Sequence, residues 1–321
     1  MKKLYIVGNG FDVAHGLDTS YWNFREYLDN TYPEFLESFE WLYDIGRIDF
    51  SDPRVPATAR EQWEKAVNHE LWSEFEDKMG QPNITEMMER SESVLADMED
   101  LDGGLIGIED TMNSYWREQY GYVRKFEQYV KEWIETIDTS DIKPKRMALM
   151  GSTDYFLNFN YTDLLENVYE IDGVLHIHGG VSSVTDIEPI MGHCNHKDIE
   201  DHQKWAIEAE EAFNEGEASI HRAVVSYLRS IYKDTSSIIG RNWRFWDKLK
   251  EVDTIIIIGW SAGIADLPYL EKIRDSVRKE AKWYVYYYDD KAKSALNKAM
   301  QDEDIERKFE VNYILSREFW D

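Results

Sequence analysis

The sequence holds a single cysteine, Cys194, among 321 residues. An internal disulfide framework is therefore excluded, and a reducing compartment, the cytoplasm, is the expected location. No apolar run approaches the roughly 18–20 residues of a membrane-spanning helix. The opening Lys2 and Lys3 lead only into a short apolar stretch ended by Gly8 and Asn9, so neither a span nor a signal peptide is expected. Basic residues are also scarce: 36 Lys and Arg stand against 63 Asp and Glu, a formal charge of −27. That charge repels nucleic acid and anionic lipid and removes the counterion release behind most duplex binding, so neither is an expected partner. What the chain does have is 43% hydrophobic content, enough for one large domain or two modest ones.

Residues 4–7 form an unbroken apolar run, the pattern of a central parallel strand covered on both faces. Further strands are expected in DYFLNFNYTD (154–163), in GVLHIHGG (173–180), whose apolar and polar residues alternate, in DTIIIIGWS (253–261) and in WYVYYYDD (283–290). Strands separated by helical stretches indicate a doubly wound parallel sheet. Residues 21–145 read almost wholly as helix, with apolar residues recurring at three and four, punctuated by the loop at 51–57 and the turn LDGG at 101–104. No single βα connection needs so many residues, so this block reads as an insertion after the first strand. The expected organisation is an α/β domain of 1–20 and 146–321 with a helical insertion of 21–145. A second acidic stretch, from 197 to about 218, reads as a solvent-facing helix.

Gly8, Asn9 and Gly10 sit where the first strand hands over to a helix. Glycine there lets the backbone approach a pyrophosphate, and amides at a helix start favour negative charge; a tight turn without ligand is the plainer reading. Asp12, Thr19 and Ser20, with His15, crowd polar groups beside that turn. Asn160, Thr162 and Asp163 follow a strand at the carboxyl edge, where open α/β sheets bind ligands, although Asp163 equally suits a helix cap. In the 173–180 strand, alternation places His176 and His178 on one face, with His178 nearest the edge as a candidate proton acceptor. Gly259 and Ser261 repeat the strand-to-glycine-turn pattern, and Asp289 stands where a carboxylate can meet ribose hydroxyls or simply make a turn. His193, Cys194 and His196 lack a second half at conventional spacing, so no metal site is assigned.

Taken together, LYIVGNGFDVAHGLDTSYWNF, LWSEFE, FLNFNYTDLLE, VLHIHG, IMGH and IIIIGWSAGIADLPYL resemble the AbiH family of bacterial phage abortive-infection proteins, from residue 4 to about 270. The outline is also similar to a sirtuin-like, Rossmann-type nucleotide domain, whose glycine turn, asparagine-aspartate pair, His-Gly and Gly-x-Ser turn correspond to Gly8 and Gly10, Asn160 and Asp163, His178 and Gly179, and Gly259 and Ser261. Phe11 and Asp12 depart from the small residues of the sirtuin turn, and no four-cysteine module is present, so protein deacetylation is not expected.

The resemblance implies a phage-defence protein that binds NAD or a related dinucleotide as substrate and hydrolyses its nicotinamide-ribose bond, with no required cofactor. Asn160 would orient the ribose or water, His178 would act as base, and Asp163 or Asp12 would stabilise charge at the sugar. Gly8, Asn9, Gly10, Asp12, Thr19, Ser20, Gly259, Ser261 and Asp289 would contact the nucleotide. A phage-encoded trigger and a homo-oligomer are the expected partners. Two rival readings are a sensor that binds without chemistry and a metal-dependent nuclease or phosphoesterase built on His193 and His196.

Overall fold

The protein is described here by a computed structural model covering residues 2–50, 52–56, 58–99, 108–121 and 125–320. The turn expected at 101–104 and both ends of the loop at 51–57 lie outside the described residues. The chain forms two units, one of Met1–Phe24, Tyr129–Met191 and Asp234–Asp321, the other of Arg25–Gln128 and Gly192–Lys233.

The first unit is an open, all-parallel sheet of six strands, β1 (Lys2–Val7), β2 (Tyr155–Asn158), β3 (Leu175–His176), β4 (Val252–Ile258), β5 (Lys282–Tyr287) and β6 (Glu310–Leu315), in the order β3-β2-β1-β4-β5-β6. β1 lies at the centre because its apolar run has no polar face to offer water: Leu4, Tyr5, Ile6 and Val7 are all buried. Successive side chains serve opposite layers. Leu4 and Ile6 join Leu157, Ile255, Ile257 and Val285 against Leu270 and Ile273 of the helix Leu267–Ser276 and Leu296 of the helix Asp290–Asp302. Tyr5 and Val7 join Phe156 and Ile258 against Leu164, Val168 and Tyr169 of the helix Leu164–Tyr169. Helices thus cover both faces, and each fully buried aliphatic side chain contributes about 1.5–3 kcal/mol.

The third strand is shorter than its alternation predicts, and a sixth strand stands beyond those expected from the sequence. β3 is two residues long and runs straight into a turn at Ile177 and His178, closed by Gly179 N–H on His176 O at 3.2 Å with Gly179 at φ +73. Glu310–Leu315 is a half-buried edge strand.

In the second unit, the helices His196–Glu211 and Glu215–Ser230 pack on each other, and the latter also packs on Ile84–Glu99 and Ile108–Tyr120. Among the described residues its buried charges are closed pairs. Arg25 grips Glu40 in bidentate fashion at 2.7 and 3.0 Å, with the Trp72 indole donating to the same carboxylate at 2.8 Å. Lys233 meets Glu76 at 2.8 Å. No helix among the described residues is long and apolar enough to cross a membrane.

Candidate functional site at the carboxyl edge of the sheet

Strand register brings the candidate residues to one edge of the first unit. Val7 pairs with Asn158 and with Ile258, and Asn158 pairs with His176. The chain therefore leaves β1 at Gly8, β2 at Phe159, β3 at Ile177 and β4 at Gly259 in one row, the edge at which parallel α/β sheets bind ligands.

The two glycine turns touch backbone to backbone. Gly8 N–H donates to Ile258 O at 3.0 Å, and Gly10 N–H donates to Gly259 O at 2.8 Å. A Cβ on Gly8 would stand 2.5 Å from Trp260 Cα, and one on Gly259, at φ +69, would stand 2.3 Å from Phe11 N. Two amides expected to face a phosphate are thus given to carbonyls of the last residue of β4 and the first of its turn. The glycines are required by this close approach.

Asp12 follows the first turn and is buried, 1% exposed. Its Oδ1 accepts from Asn160 Nδ2 at 2.7 Å and its Oδ2 from Thr162 Oγ1 at 2.6 Å. Burial raises the carboxyl pKa to about 7 against the lowering effect of those two donors. Asn160 Nδ2 also donates to Gly8 O at 3.2 Å. With both amide protons directed at oxygens, the side-chain orientation is fixed, and Asn160 Oδ1 accepts no hydrogen bond among the described residues.

The two histidines differ in their surroundings, contrary to the expectation that alternation puts them on one face. His176 sets Nε2 2.7 Å from Glu166 Oε1 and Nδ1 3.2 Å from Asn160 O. His178 lies beyond the short strand, where the turn carries it among the rings of Phe159 and Tyr269, with Nε2 3.5 Å from Asp266 Oδ1. The other oxygen of Asp266 accepts from Trp260 Nε1 at 3.2 Å. Trp260 is also the residue pressed against Gly8, so a chain of contacts runs from Asp12 through Asn160, Gly8, Trp260 and Asp266 to His178.

Other sequence candidates have local structural work. His15 is buried; its Nδ1 donates to Phe11 O at 2.8 Å and its Nε2 accepts from Tyr169 OH at 2.7 Å, with burial lowering its pKa. Ser20 and Asn23 exchange backbone-to-side-chain bonds of 3.1 and 3.2 Å, a reciprocal cap on the helix Tyr21–Thr31. Asp289 accepts from Ala292 N–H at 2.8 Å and caps Asp290–Asp302. Asp163 sits at a cap position, yet its carboxylate is held by Thr139, Asn167 and Ser183 at 2.6, 2.7 and 3.1 Å. Thr19 donates to Asn9 Oδ1 at 2.6 Å, and Ser261 is exposed.

In the second unit, His193 Nε2 donates to Leu228 O and its Nδ1 accepts from Asn195 N–H, both at 3.0 Å. Among the described residues no group of three His, Cys, Asp or Glu is placed to hold a metal.

Sequence pattern alone does not mark Asp266, Trp260 and Glu166. A signal for the first two exists: a buried indole N–H needs an acceptor, and Asp266 lies six residues beyond Trp260, just ahead of the helix that Pro268 opens.

No curated protein and no solved structure matches the chain. The family model of bacteriophage abortive infection AbiH matches residues 4–287, a span that takes in β1 from Leu4 onward, all of β2 to β5 and every site residue from Gly8 to Asp266. The chain belongs to the bacteriophage abortive infection AbiH family.

Proposed function

We propose that this AbiH protein defends against phage by binding an NAD-like dinucleotide at the carboxyl edge of a Rossmann-type, sirtuin-like sheet and hydrolysing its nicotinamide-ribose bond. The strand order 3-2-1-4-5-6 supports it, because dinucleotide-binding sheets of that order take their ligand where the winding reverses between β1 and β4. The observation that carries the reading is Asn160: its amide nitrogen is pinned by Gly8 O and Asp12, leaving its oxygen to accept from a ribose hydroxyl or the attacking water.

Water attacks the ribose C1′, and the bond to nicotinamide breaks with its electron pair moving onto the ring nitrogen, which neutralises the pyridinium. The water's proton passes to His178. His176 has both ring nitrogens facing oxygen atoms of the protein, Glu166 Oε1 and Asn160 O, which makes it a support for the Asn160 turn. Asp266 orients His178, and Asp12 positions Asn160. Pyrophosphate contacts fall to the side chains of Asn9, Thr19 and Ser261, since the glycine amides are engaged. Because NAD loss kills a cell, activity awaits a phage-encoded trigger or assembly of a homo-oligomer.

A nucleotide sensor without chemistry is the second reading, favoured by the closed glycine turn. Purified protein, resting and phage-triggered, incubated with NAD and chromatographed for free nicotinamide separates the two. Release that is lost in His178→Ala supports hydrolysis; NAD binding with no release in either form leaves the sensor. The nuclease reading has little support here, since both ring nitrogens of His193 serve backbone groups.

A further inference from the structure

At the opposite edge of the same sheet, the helices Thr235–Arg241, Trp243–Lys248 and Leu267–Ser276 line an open cavity of about 440 Å³. Lys250 lines it two residues before β4 begins, while Asn160 and His178 stand with the other end of that strand, about 20 Å away at 3.3 Å per residue. The cavity is therefore distinct from the carboxyl-edge site.

Two features of its walls point to a ligand. The first is aromatic. Trp246 is buried, its indole fixed by donation to Ile239 O at 2.9 Å, whereas Trp243 keeps 61% of its surface exposed beside the Arg244 guanidinium, 5.3 Å from its ring centre. An exposed tryptophan of that size on a cavity rim is a ready stacking surface.

The second is charge. In a chain carrying −27, Lys272 lines the cavity and makes no ion pair among the described residues; Arg241, Arg244, Lys248 and Arg278, near the lining residues in sequence but not on the wall, likewise make none, and Asp247 is the one carboxylate of the lining. Lys250 is held by Asp247 at 2.9 Å, and Arg278 is anchored by donation to Lys250 O at 3.2 Å. Gly240, on the wall, has open space where a side chain would begin.

We infer that this cavity binds a nucleoside phosphate, its base stacked on Trp243 and its phosphates facing Lys272 and the neighbouring arginines. The volume lies within the range of small-molecule sites and is too small for a polymer, and the overall acidity disfavours a polynucleotide. The assignment stands apart from the proposed hydrolysis.

Isothermal titration of the full-length protein with ATP tests it, with adenosine and inorganic triphosphate as component probes. ATP binds more tightly than either component. Lys272→Glu and Trp243→Ala, both surface changes, each weaken it at least tenfold with an unchanged melting temperature. Gly240→Met, which fills the cavity, does the same. Several results overturn the assignment: no ATP binding by the wild type, ATP binding unaffected by these variants, triphosphate binding as tight as ATP with Trp243→Ala silent, or tighter binding of oligo(dT) than of ATP.

Discussion

The two units bury polar groups in opposite ways. In the helical unit the buried charges among the described residues meet their counterparts: Arg25 with Glu40 and the Trp72 indole, Lys233 with Glu76. At the carboxyl edge of the sheet, Asp12 is equally buried but receives only neutral donors, and His178 stands 3.5 Å from a carboxylate within an aromatic cage. Closed pairs hold a fold together; a buried acid facing amide and hydroxyl stays close to protonation at neutral pH, the condition that proton chemistry needs.

The contrast is sharpest where one partner is removed. Glu40→Ala strands the Arg25 guanidinium in the core and lowers stability by about 3–5 kcal/mol, read as a fall in urea midpoint at constant slope. Asp12 contributes in the other sense. Its folded pKa is raised from 3.8 to about 7, so the native state holds a proton that the unfolded chain has lost. Its contribution to stability therefore falls as pH rises from about 4 to 7, by a few kcal/mol. Asp12→Asn removes that slope, and the difference between wild-type and variant denaturation curves across this window measures it. A variant whose pH dependence parallels the wild type would show that Asp12 is not the buried neutral acid described here.

The helical unit has its own titrating group. His202 and His221 place their Nδ1 atoms 3.0 Å apart, so one donates to the other's lone pair, and burial with the second imidazole lowers His202 to about 4. Here the unfolded state binds the extra proton, so stability is lost as pH falls from about 6.5 to 4, by about 2 kcal/mol. His202→Gln flattens that acid limb, checked by thermal melts over the same range. The smallest effect is at Asp289: replacing this cap with alanine costs about 1 kcal/mol. If Asp289→Ala instead weakens NAD binding tenfold at unchanged stability, the residue belongs to the site after all.

Legibility in the sequence follows the range of the interactions. The central strands announce themselves because a strand buried on both faces must be apolar throughout, as residues 4–7 and 255–258 are. β6 carries a mixed run, EVNYIL, because one of its edges is unpaired, and β3 shrinks because backbone turning at Gly179 ends an alternation that continues in the letters. Gly8 shows the same limit at the site. A glycine after a strand reports close approach, but whether to a phosphate or to another turn depends on Gly259, some 250 positions away. Asp266 is hard to read in the letters for a similar reason, since its place is defined by Trp260 and His178 together.

The most direct test of the central claim is the NAD content of phage-infected cells carrying the wild-type protein or His178→Ala. NAD falls after infection with the wild type and stays level with the variant, whose nicotinamide release drops by about 10²- to 10⁴-fold. Phage arrest by the wild type with NAD unchanged would contradict it.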